Sequence, residues 1–88
     1  MAEKWCGIFK VLEEMGELQQ VLGKLCVFPD GNHIHQGDLV PKLVEEISDL
    51  YAALYYFTKE NDIYMDSTRY LDKLNKFSEW GLSGIKDG

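Results

Sequence analysis

Basic residues are scarce in this chain: nine lysines and arginines stand against fifteen aspartates and glutamates, a formal net charge of −6 over 88 residues. A binder of polymeric DNA or RNA needs a basic patch to meet the phosphate backbone, so that class is excluded. A single nucleotide is not excluded, because divalent cations invert the local charge of an acidic pocket. Cysteine is equally sparse. Cys6 and Cys26 cannot make a disulfide framework, both fall on the apolar side of a predicted helix, and no secretory signal precedes them. They read as buried, reduced thiols of a cytoplasmic protein. No run approaches the ~18 apolar residues that cross a bilayer, which predicts a soluble protein with no membrane partner. Alternating β patterning is lacking too, apart from Ile63-Tyr64-Met65.

What remains is helical. The length predicts one domain, 1–88, with a thin core: a chain this small rarely draws more than ~3–5 kcal/mol from its core and needs a disulfide, a metal or a second copy. A first helix is predicted from about Glu3 to Cys26, with Trp5, Ile8, Val11, Leu12, Met15, Leu18, Leu22, Leu25 and Cys26 on one apolar arc. Gly16 and Gly23 weaken it and would let another backbone approach. Residues 28–38, F-P-D-G-N-H-I-H-Q-G-D, read as a loop broken by Pro29, Asp30-Gly31 and Gly37. A second helix is predicted from Asp38, as N-cap, to about Lys59, with Pro41 in its first turn. Its arc is Leu39, Leu43, Val44, Ile47, Leu50, Tyr51, Leu54 and Phe57. A third follows from Asp66 or Ser67, turning Tyr70, Leu71, Leu74, Phe77 and Trp80 inward, and the tail 81–88 reads as frayed. The fold class is all-α, three helices per chain.

Two stretches nearly repeat each other. Residues 10–18 read K-V-L-E-E-M-G-E-L and residues 42–50 read K-L-V-E-E-I-S-D-L. On the first helix Glu13, Glu14 and Glu17 share a face, with Lys24 two turns beyond Glu17; on the second the face holds Glu45, Glu46 and Asp49, with Lys42 a turn before and Tyr56 two turns after. Ala52 and Ala53 lie between Asp49 and Tyr56, leaving room for a ligand against the helix. One such cluster is ordinarily a solvated face. Two matched clusters on consecutive helices can meet if the helices pack antiparallel, and six converging carboxylates require cations or shifted protonation. Oxygen ligands in that number suit Mg²⁺ or Mn²⁺ better than zinc. A di-iron carboxylate bundle would need Glu-x-x-His on two helices. The chain has none, since His33 and His35 sit in the loop, where His33 could contact a substrate.

The ordered pair Glu14-Met-Gly-Glu17 and Glu46-Ile-Ser-Asp49, with the flanks E-E-M-G-E-L-Q-Q-V-L-G-K-L, F-P-D-G-x-H and V-E-E-I-S-D-L-Y-A-A-L, resembles the MazG-like all-α nucleoside triphosphate pyrophosphohydrolases. That superfamily includes dimeric dUTPases, phosphoribosyl-ATP pyrophosphohydrolase and short members common in phages. The similarity spans roughly residues 8–57. It implies hydrolysis of a nucleoside triphosphate to the monophosphate and pyrophosphate. Glu14, Glu17, Glu46 and Asp49 would hold Mg²⁺ (or Mn²⁺), and Glu13 would assist through a second ion or by orienting water. Lys24 matches a basic position that would meet a terminal phosphate. Tyr56 replaces a polar residue near the nucleotide and offers a ring for stacking on a base. The resemblance further implies a homodimer or homotetramer in which helices of two subunits form a four-helix bundle. Trp5, Phe9, Tyr55 and Trp80 are candidates for its interface. Two other functions fit the composition: a catalytically idle helical oligomerisation module, and a bundle that binds metal without hydrolysing anything.

Overall fold

The computed structural model describes residues 4–80, so the tail 81–88 lies outside the described residues. Three helices account for 70% of these: α1 (Ile8–Val27), α2 (Val40–Glu60) and α3 (Ser67–Glu79). The mostly helical expectation holds, and the boundaries show where local chemistry overrode periodicity. α1 starts at Ile8 and not near Glu3, because Gly7 adopts φ 88°, a left-handed conformation that cannot continue a helix back to Trp5. α2 begins at Val40, one residue beyond Leu39; Asp38 still serves its first turn, its carboxylate accepting from the Val40 N–H at 3.0 Å. Asp66 caps α3 as its residue type suggests, accepting from the Arg69 N–H at 3.1 Å.

The stretch read as a loop is more ordered than its breakers imply. Asn32–His33 (β1) and Gly37–Asp38 (β2) pair antiparallel, Asn32 opposite Asp38 and His33 opposite Gly37. His33 Nδ1 accepts from the N–H groups of His35 and Gln36, closing the tip, and its ring lies 4.8 Å from that of Phe28. Gly31, at φ 85°, lets the ribbon turn back on α1, with Leu39 N–H donating to its carbonyl at 2.7 Å. Ile63-Tyr64-Met65 forms no strand.

This ribbon returns the chain so that α2 runs back along α1. Their far ends are joined by Asn61, whose amide donates to the Cys6 and Phe57 carbonyls at 2.8 Å and accepts from the Cys6 N–H at 3.1 Å. The seam buries Val21, Leu39 and Ala53, with Val11, Leu18, Leu25, Phe28, Leu43, Leu50 and Phe57 half-buried beside them. Beyond the seam the expected core is bare. Leu12, Met15, Leu22, Val44, Ile47, Tyr51 and Leu54 are exposed, as are Tyr70, Leu71, Leu74, Phe77 and Trp80 of the third helix. α3 makes no extended contact with α1 or α2, so its apolar residues do not turn inward within one chain. Nor are the thiols buried: Cys26 is exposed and Cys6 half-buried, both unbridged. A side chain at Gly16 or Gly23 would meet nothing within 4 Å, so no other backbone approaches them in the single chain. No helix of the described residues is long and apolar enough to cross a membrane.

Candidate functional site

The antiparallel pairing brings the two acidic motifs to the same seam. Oxygens of Glu14, Glu17 and Glu46 lie within 4.8 Å of one another, and so do those of Glu45, Glu46 and Asp49. Glu46 belongs to both groups. It is also the most enclosed side chain described, 1% exposed, although it is a carboxylate on a helix surface by sequence. Its position explains this: α1 lies across it with Glu14, Glu17 and Val21, while Lys42 of its own helix and Leu39, the residue before that helix, share the same hollow.

Burial of a carboxylate costs several kcal/mol unless it is paired and hydrogen-bonded. Lys42 supplies part of the compensation, its Nζ 3.0 Å from Glu46 and 2.7 Å from Glu45. The second oxygen of Glu46 has no hydrogen-bond partner, and neither has one buried oxygen of Glu14. The cluster is therefore short of positive charge. Burial, then the charges of Asp49, Glu13 and Glu46, hold the Glu14 carboxyl above the usual carboxylate range. The charge of Glu46 does most to raise Glu17. Hydrogen bonds to Glu45 and Glu46 push the Lys42 ammonium up, and the same bond to Lys42 holds Glu45 low. Two orphaned carboxylate oxygens converging with other carboxylates are donors of the kind that could hold a hard divalent cation.

A hollow opens on either side of the carboxylates. The larger, ≈ 500 Å³, is lined by Glu17, Gln20, Val21, Lys24, Gln36, Asp38, Leu39, Lys42 and Glu46. The smaller, ≈ 390 Å³, is lined by Lys10, Glu14, Asp49, Ala52, Ala53 and Tyr56. Lys24 thus stands at the ribbon end of the groove and Tyr56 at the opposite end. The Tyr56 ring lies close over Gly7: a Cβ there would meet it at 3.0 Å, and the Tyr56 hydroxyl is 3.6 Å from Cys6 Sγ. The turn that shortens α1 thereby fixes this aromatic wall.

Of the residues chosen from sequence, Glu14, Glu17, Glu46 and Asp49 converge, and Lys24 and Tyr56 line the flanking hollows. Glu13 does not join them. It turns to the exposed rim and pairs with Lys10 at 3.2 Å, the lysine three residues before it on the same helix face. His33 is occupied in the ribbon and lines neither hollow. Sequence reasoning placed Lys42 near the motif but gave it no part in the site; its spacing from Glu46, i to i+4, was the available signal. Gln36 and Asp38 belong to the 28–38 loop, whose side chains were expected to set pocket selectivity; Gln20 carried no signal. No family model matches the chain, no curated protein matches it, and no solved structure matches it.

Proposed function

We propose that the chain is a Mg²⁺-dependent nucleotide pyrophosphohydrolase that converts a nucleoside triphosphate to the monophosphate and pyrophosphate, acting as a homodimer or homotetramer. The observation that carries the reading is Glu46, a carboxylate 1% exposed with an unpartnered oxygen, set among Glu14, Glu17 and Asp49. Acidic clusters are common on solvated helices, but a buried carboxylate with an unpartnered oxygen at a helix seam is not; Lys42 offsets part of its charge, and a bound cation would offset the rest. The resemblance of the two motifs to the MazG-like enzymes points to the same chemistry.

Glu14, Glu17, Glu46 and Asp49 would hold the metal, with Mn²⁺ an alternative to Mg²⁺. When bound, the cation supplies charge neutralisation for the triphosphate and polarisation of the α-phosphoryl group. Lys24 and Lys42 line the larger hollow and meet the β- and γ-phosphates there. Tyr56, above Ala52 and Ala53, walls the smaller hollow and stacks on the base. Water attacks the α-phosphorus in line, the bond to the bridging oxygen of the β-phosphate breaks, and pyrophosphate leaves. A carboxylate of the cluster accepts the proton of the attacking water. Glu13, paired with Lys10 at the exposed rim, is left outside the proposed metal set.

The test is a panel of ribo- and deoxynucleoside triphosphates, canonical and modified, assayed for pyrophosphate with the nucleotide product identified. The reading expects Mg²⁺-dependent release of pyrophosphate with a monophosphate product from at least one of them. Release of orthophosphate, or no turnover with any, overturns it.

A further inference from the structure

On the homo-oligomer reading above, we infer that α3 is an exchanged arm: its apolar stripe docks on the α1–α2 layer of a second copy of this chain. Tyr70, Leu71, Leu74 and Phe77 recur at helical spacing, yet each is between 43 and 57% exposed. Asp62 adopts φ 54°, Tyr64 donates to its carboxylate at 2.8 Å, and Asp66 caps the helix. These contacts turn the chain at residues 61–66 and send α3 away from its own α1 and α2, which it does not cover.

The face such an arm needs is present. On the side of the layer away from the carboxylates, Leu18, Ile47, Leu50, Tyr51 and Leu54 line an apolar groove of ≈ 350 Å³. The area involved is of the size a second copy would cover. A compact monomer of 10.1 kDa exposes roughly 5,300 Å², whereas this chain exposes 7188 Å². The excess of two copies together is roughly 3,800 Å², within the ~2,000–5,000 Å² buried by obligate homodimers. Reciprocal exchange covers both stripes and both grooves with one two-fold interface, as domain swapping does elsewhere.

Isotope-filtered NMR on a sample mixing labelled and unlabelled chains distinguishes contacts between copies from contacts within one. The expected result is intermolecular NOEs from Leu74 and Phe77 to Leu50 and Leu54, and sedimentation at twice the chain mass or a multiple of it. Leu74→Glu should raise the dissociation constant at least ~30-fold, the effect of an interface hot spot, with the helical circular dichroism retained. If that variant fails to fold, the wild-type NOEs decide. A dimer whose α3 NOEs are all within one chain, or that lacks NOEs from α3 to the groove, overturns the exchange while leaving the enzymatic reading standing. A monomer at 100 µM overturns it together with the oligomer. Neither outcome depends on turnover.

Discussion

On one side of the α1–α2 layer lie Glu14, Glu17, Glu46 and Asp49; on the other lie Leu18, Ile47, Leu50, Tyr51 and Leu54. Both sides come from the same two helices, read a third of a turn apart. The apolar side lacks cover and its exposure is a stability deficit, relieved by more apolar surface of any suitable shape. The acidic side is only partly compensated, by Lys42, and protonation of its carboxylates or a cation in the seam would relieve the rest. Substitutions on the acidic side should therefore change function with little loss of fold. Those on the apolar side should change assembly and stability.

The sharpest break of this contrast is at Glu17 and Asp49. Loss of a group behind a metal ligand already costs 10–100-fold, so replacing either carboxylate with Ala should lower turnover at least roughly 100-fold. The helical circular dichroism signal should be unchanged and the melting temperature equal or higher, since the remaining carboxylates lose a repulsive neighbour. Wild-type turnover in Glu17→Ala would sink the metal-site reading.

Next in size is the response to the cation itself. On the proposed metal site Mg²⁺ would bind the folded seam and not the unfolded chain, so a hundredfold excess over Kd should stabilise by ~2.7 kcal/mol. The melting temperature should rise with millimolar Mg²⁺ and not with NaCl of equal ionic strength. Glu46→Gln should blunt the rise, and Glu79→Gln, at the end of α3, should leave it intact. Equal responses to both salts would mean ordinary screening of a solvated face.

The two sides were unequally legible. Apolar spacing of 3.6 marked α1, α2 and α3 and their inner arcs, and the repeated acidic motif marked the carboxylates that converge. It could not show that Glu46 would be buried, because burial belongs to the partner helix and not to the residue. For the same reason Val21, which stands among the acidic positions of α1, was not counted in the apolar arc, yet it is buried. Gly7 made α1 start later than its apolar spacing suggests, through a left-handed φ that composition does not announce. The outer arcs were read as core. They are apolar as read, but the cover they need is not within the described chain.

A smaller effect follows from pH and reverses with metal. Glu14 and Glu17 titrate above their ordinary value of 4.5 in the folded apo protein. The folded state therefore binds more protons than the unfolded state between 4.5 and the raised values, and stability falls as pH rises through that window. Acidifying apo protein toward pH 4.5 should raise the melting temperature. Glu45, held low by Lys42, opposes this only below 4.5, where its own stabilising contribution is lost. With saturating Mg²⁺ the same carboxylates are held ionised, and acidification should lower the melting temperature. Calorimetry in EDTA and in Mg²⁺ reads the two slopes. The same sign in both would remove the carboxylates from the metal site.

The smallest effect probes the outer edge of α1, away from both sides. Gly16 and Gly23 are seven residues apart and so share a stripe of the helix. A Cβ at either would meet nothing within 4 Å in the single chain. Glycine inside a helix costs roughly 0.5–1 kcal/mol relative to alanine, mostly through the entropy of the unfolded chain. Gly23→Ala should therefore stabilise by about that much, with turnover and Mg²⁺ response unchanged. Chemical denaturation at fixed protein concentration measures it. Destabilisation that grows as the protein is concentrated would mean that a partner's backbone lies against this stripe in the oligomer. The interface between copies would then extend from the apolar groove around the edge of α1.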